Sequence, residues 1–130
     1  MRGAILAVTL GLLVIAGCGR DDDRRQVRAV AEALYTAVQD GDGAEACARL
    51  SVAAASALER EERRPCPEAM TEVELTGARV TAVRIFETGA AAKFDTGNTA
   101  FLDRMDEGWR VSAAGCVVRG ETPAICELED

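Results

Sequence analysis

Five cysteines and not one histidine in 130 residues limit what this chain can become. A structural zinc site needs four thiolate or imidazole ligands at short paired spacings. No C-x-x-C pair and no histidine occur, so neither a metal nor a metal cofactor is expected. Lacking histidine also removes the usual general base and the serine and cysteine triads. An odd number of cysteines implies that one has a fate of its own.

The candidate is Cys18. It ends a leader in which Met1-Arg2-Gly3 supplies one positive charge and residues 4–17 carry none. That arrangement reads as a secretory signal. The run is short of the roughly 20 apolar residues of a permanent span. Ile15-Ala16-Gly17-Cys18 resembles the bacterial lipobox, in which the cysteine thiol receives a diacylglyceryl group and the peptide before it is removed. Two acyl chains, at ~0.8 kcal/mol per buried methylene, hold a soluble domain at a membrane where one would not. The expected organisation is a signal peptide over residues 1–17, a short lipidated tether over 18–23, and a single domain over 24–130. The expected address is the outer face of the cell membrane. Of the charges, only Arg2 leaves with the leader, so the mature chain carries a formal −8. That balance disfavours nucleic acid as a partner, and equally a domain lying on anionic headgroups.

With Cys18 committed, Cys47, Cys66, Cys116 and Cys126 remain, in a compartment where disulfides persist. Four cysteines allow three connectivities. Pairing neighbours in sequence, Cys47 with Cys66 and Cys116 with Cys126, is the simplest. Loops of that size are worth on the order of 3 kcal/mol each in the chain-entropy model.

Asp23 and Gln26 have the spacing of a capping box, and Val27, Val30, Ala31, Leu34 and Val38 recur at helical period, so a helix is expected from Arg24 to Gln39. Asp42 and Ser51 read as further N-caps, the second opening a helix from Val52 to Arg63. Cys66-Pro67-Glu68 suits a fresh helix start, running to Glu72. Beyond Gly77 the period changes. Strands are expected over 78–86, 90–95, 99–105 and 109–113, separated by Gly89, Thr96-Gly97-Asn98 and Asp106-Glu107-Gly108. Helices followed by an antiparallel meander form an α+β pattern.

The long first helix ending in Gln39-Asp40-Gly41-Asp42, Cys47, the Cys66-Pro67 step, and Glu107-Gly108-Trp109-Arg110-Val111 leading to Cys116 and Cys126 carry a resemblance. Together they resemble the small actinobacterial lipoproteins of the nuclear-transport-factor-2-like (ketosteroid-isomerase-like, SnoaL-like) superfamily. The resemblance covers most of the mature chain. It implies helices packed on a curved, cone-like antiparallel sheet that often holds an apolar pocket, and the same cysteine pairing. It implies little about activity, because such folds host enzymes and binding modules alike.

Leu34, Tyr35 and Trp109 are the candidate pocket residues. Tyr35 is the sole tyrosine, expected to pack its ring and wet its hydroxyl; Trp109 is expected to anchor the sheet. No catalytic residue is assigned. The functional expectation is a non-enzymatic envelope module that takes an envelope protein partner or a small apolar ligand. The alternatives are a pocket enzyme in which Tyr35 works with Asp95 or Asp103, and a homodimerising structural domain.

Overall fold

A computed structural model describes residues 19–130; the leader and Cys18 lie outside the described residues. Four helices come first: α1 (Gly19–Gln39), α2 (Gly43–Ala48), α3 (Val52–Glu62) and α4 (Cys66–Ala69), the last running into a 3₁₀ turn (Met70–Glu72). Five strands follow: β1 (Val80–Ile85), β2 (Gly89–Phe94), β3 (Thr99–Met105), β4 (Gly108–Cys116) and β5 (Leu128–Glu129). They form one open antiparallel sheet in the order β1-β2-β3-β4-β5. The fold is α+β.

The expected caps at Asp42 and Ser51 form. The Asp42 carboxylate accepts the Glu45 N–H at 3.1 Å, and Ser51 Oγ accepts the Ala54 N–H at 3.1 Å. The cap expected at Asp23 does not. Helix α1 already includes Gly19, so the part of the expected tether that is described is helical. Asp21 and Asp22 sit in the first turn, where the exposed N–H groups favour negative charge, and pair with Arg24 and Arg25 one turn on. Asp23 turns toward the sheet instead. Its carboxylate accepts Trp109 Nε1–H at 3.3 Å and the Arg104 guanidinium, which itself lies 4.7 Å over the Trp109 ring. The three adjacent carboxylates thus serve different partners.

Register divides the sheet into two faces. Val80, Val83 and Ile85 of β1 pair with Phe94, Ala92 and Ala90 of β2, and Leu102 pairs with Val111; these point toward the helices. Helix α1 meets them with Val27, Ala31, Leu34 and Tyr35, all buried at its 3.6-residue period. The side chains are small, so the layers approach closely. Each edge of the sheet is met at one point by another element. At β1, Glu32 accepts the Val80 N–H at 2.8 Å while Arg28 donates to the Val80 carbonyl. At β4, Val111 bonds the backbone of Arg49 and Ser51 at 2.8 Å each, beside β5. Edge groups satisfied in this way are not free to template another chain.

Two disulfides form as expected. Cys47–Cys66 joins α2 to α4, and Cys116–Cys126 closes the segment between β4 and β5. The short final strand β5 has no sequence signal.

Beside the first disulfide, α2 and α4 come close enough to exclude a side chain. A Cβ on Gly43 would lie 1.9 Å from the Pro67 carbonyl oxygen, a backbone atom that cannot rotate away. Gly43→Ala is therefore expected to lower unfolding free energy by about 2 kcal/mol, as in an overpacked core. Denaturant unfolding of the oxidised protein checks this, and a loss under ~0.5 kcal/mol would show that the helices can separate freely.

Candidate functional site

The expected pocket residues are core residues. Leu34, Tyr35 and Trp109 are buried in the contact layer between α1 and the sheet. Trp109 is the sheet anchor expected of it, its indole N–H held by Asp23. Tyr35 departs from expectation at its hydroxyl. The residue is 1% exposed, and its ring stacks on Phe94 with centroids 3.7 Å apart. The hydroxyl donates to Asn98 Oδ1 at 2.9 Å and accepts the Gly115 N–H at 2.9 Å. Gly115 has φ +66°, and a Cβ there would press on Glu127 and Leu75 at 2.9–3.0 Å. Glycine lets this backbone N–H reach the phenol. Asn98 is held in turn by its amide, which donates to the Thr76 carbonyl at 2.6 Å and to Thr96 Oγ1 at 2.9 Å.

The tyrosine–carboxylate pair of the enzyme expectation is not assembled here. Asp95 is exposed; its carboxylate accepts the Ala78 N–H at 3.1 Å, which holds its pKa below the usual carboxylate range. Asp103 lies on the opposite face of the sheet from the helices, in register with Gly89 and Arg110. Burial pushes the Tyr35 hydroxyl up to about 12, the Gly115 hydrogen bond opposing in part.

An open site lies on the sheet face away from the helices. Pairing sets Arg84, Ala91, Phe101 and Ala113 in one row and Ala82, Lys93, Thr99 and Cys116 in the next. Strand β1 alternates buried and solvent-facing residues here, which aims Arg84 outward. Phe86, just beyond β1, is 49% exposed, and Val118, inside the loop closed by the second disulfide, is 53% exposed. A groove of about 370 Å³ runs between them, lined by Arg84, Phe86, Ala91, Lys93, Phe101 and Val118, with Ala82, Gly97 and Thr99 completing the wall. No carboxylate lines it, in a chain of net −7. Arg84 lies 5.5 Å over the Phe86 ring. Neither Arg84 nor Lys93 has an ion-pair partner among the described residues.

Sequence reasoning missed this groove. Its signals were the outward half of the β1 alternation and the fact that Lys93 is the chain's one lysine. No cluster of metal-ligating side chains occurs among the described residues, and no helix there is long and apolar enough to cross a membrane.

The raised tyrosine fixes a pH dependence. Folded Tyr35 keeps its proton to about 12, while the unfolded chain releases it near the ordinary 10.0. Above that lower value the unfolded state binds fewer protons, so stability falls as pH rises between the two. Ultraviolet titration of the one phenol is expected to show a native midpoint near 12, against about 10 after unfolding. Tyr35→Phe should remove that titration and cost ~1–3 kcal/mol, because the Gly115 N–H loses its acceptor. A native midpoint near 10 would refute the buried hydroxyl.

Comparison with protein-family models, with curated proteins and with solved structures found no match in any of the three.

Proposed function

We propose that this chain is a lipid-anchored extracytoplasmic binding module of the bacterial envelope, non-enzymatic, with Cys18 carrying the anchor and the outer sheet face receiving the ligand. The observation that carries the binding half is the contrast between the two faces. The helix-facing side is filled by Leu34, Tyr35, Phe94, Leu102 and Trp109, whereas the other side offers an open groove with cationic and aromatic walls. The anchor half is supported by the apolar leader ending in Ile15-Ala16-Gly17-Cys18 and by two disulfides, which persist in oxidising compartments. The nuclear-transport-factor-2-like resemblance and its cone-like sheet belong to the same proposal, supported at the level of layers by helices packed on one face of an antiparallel sheet.

On this reading the lipid joins α1 directly, since Cys18 is followed by a helix of 21 residues, about 30 Å long. Asp23, four residues into that helix, is tied to Arg104 and Trp109. The domain would then stand at the membrane in one orientation rather than swing on a linker. A homodimer is the second reading, favoured by Phe86 and Phe101 on the outer face; sedimentation of the purified protein separates it from a monomer.

The Cys18→Ser variant is expected to leave the membrane fraction or to accumulate with its leader uncleaved, while the parent fractionates with membranes. Intact mass of the parent should show a diacylated amino-terminal cysteine, two disulfides and no free thiol. Unchanged fractionation of the variant, or an unmodified Cys18 in the parent, would end the anchor reading.

A further inference from the structure

We propose that the outer-face groove binds a fatty carboxylate, with Arg84 and Lys93 holding the carboxylate and Phe86, Ala91, Phe101 and Val118 covering the acyl chain. This rests on the binding-module reading above and names its ligand class.

Charge decides the headgroup. Arg84 pairs with Ala91 on β2, and Lys93 is two residues further along that strand. Diagonal neighbours of this kind have Cβ atoms roughly 7–8 Å apart. Both side chains reach into the same groove, where the Arg84 guanidinium also lies over the Phe86 ring, and an oxyanion bound between them would draw on both charges. An anion there meets two cations and no competing carboxylate in the wall. It also complements a surface that elsewhere is strongly acidic.

Shape decides the body. The remaining wall is aromatic and aliphatic, and its volume falls within the several hundred Å³ common for small-molecule sites. Beta-carbons of alanine at positions 82 and 91 keep the floor low between the flanking phenylalanines. A second copy of this chain fits less well. Face-to-face pairing about a twofold axis would bring the same unpaired cations into one interface. Phe86 lies at the end of the sheet where α1 begins, since Arg104, the partner of Asp23, donates its backbone N–H to the neighbouring Thr88 carbonyl at 2.9 Å. With the anchor at Cys18, that mouth of the groove faces the membrane, where amphiphiles are concentrated.

The test is photolabelling of the full chain in bacterial membranes with a dodecanoate bearing a diazirine and an alkyne. Labelling is expected to saturate, to be competed by dodecanoate and not by dodecanol, and to map to β2, β3 or the segment 117–125. Arg84→Glu and Lys93→Glu should each lower it roughly tenfold or more, the scale of a lost charge-assisted bond. Arg60→Glu, on the exposed side of α3, should leave it unchanged. Intact disulfides and an unaltered melting temperature in each variant would exclude misfolding as the cause. The proposal is overturned if charge reversal leaves labelling unchanged, if dodecanol competes as well as dodecanoate, or if dodecyl phosphate displaces the probe roughly tenfold better than dodecanoate. Crosslinks joining two chains through Phe86 or Phe101 without probe adducts would overturn it in favour of a second copy. Fractionation of the same cells reads the anchor separately. Acylated, membrane-bound protein that does not label loses only the ligand, whereas labelled cytosolic protein with a free Cys18 keeps the groove and overturns the envelope reading.

Discussion

The Tyr35 hydroxyl joins three parts of the chain that sequence keeps far apart. It sits on α1, donates to Asn98 in the β2–β3 turn and accepts from Gly115 at the end of β4, while its ring lies flat on Phe94. A phenol buried without partners would be costly. Here both hydrogen-bonding capacities are met by groups that themselves need a partner, so the burial of a large aromatic ring carries little polar penalty. In a core made mostly of alanine, valine and leucine, Tyr35 is one of three buried aromatic side chains, with Phe94 and Trp109. The position of α1 on the sheet follows from it, and Gly115 is glycine because the N–H must approach this oxygen in a left-handed backbone conformation.

The polar face of α1 continues the same work along its length. Asp23 ties the first turns to Trp109 and Arg104, Arg28 and Glu32 satisfy both backbone groups of Val80, and Gln39 donates to the carbonyls of Leu75 and Gly77 at 3.1 and 2.8 Å. The helix therefore acts on the sheet edge as a neighbouring strand would, through side chains. In the irregular segment between the 3₁₀ turn and β1, Gln39 thus takes the carbonyls of Leu75 and Gly77, while the β2–β3 turn takes those of Thr76 and Arg79. The disulfides add covalent ties between the short helices α2 and α4 and across the segment after β4.

The two faces of the sheet have opposite characters for one reason. Strand residues alternate, and on the helix side the alternate positions are small and apolar enough to pack closely. On the other side the same strands carry Arg84, Lys93, Phe86 and Phe101. Leu34, Tyr35 and Trp109 are buried in the helix-facing layer, and the open groove lies on the face without helices. Tyr35, attractive as an acid–base residue while only its type and uniqueness were known, is a structural hydrogen-bond junction whose partners are an amide and a backbone N–H.

Local chemistry was readable along the chain. The caps at Asp42 and Ser51, the strand β3 from Thr99 to Met105, the α+β order and the pairing of sequence-adjacent cysteines all depend on residues a few positions apart, or on short loop closure. What failed depended on distant partners. Asp23 had the spacing of a cap, but Trp109 and Arg104, more than 80 residues away, claim its carboxylate. Strand β5 is two residues long and exists because β4 offers an edge to Leu128 and Glu129. The groove needed the register of three strands before Arg84, Lys93 and Phe101 could be placed on one face. Sequence by itself determined the order of helices and strands and which cysteines are close enough to meet. Only the tertiary structure decided which face was filled and which left open, because that depends on how distant side chains share a limited volume.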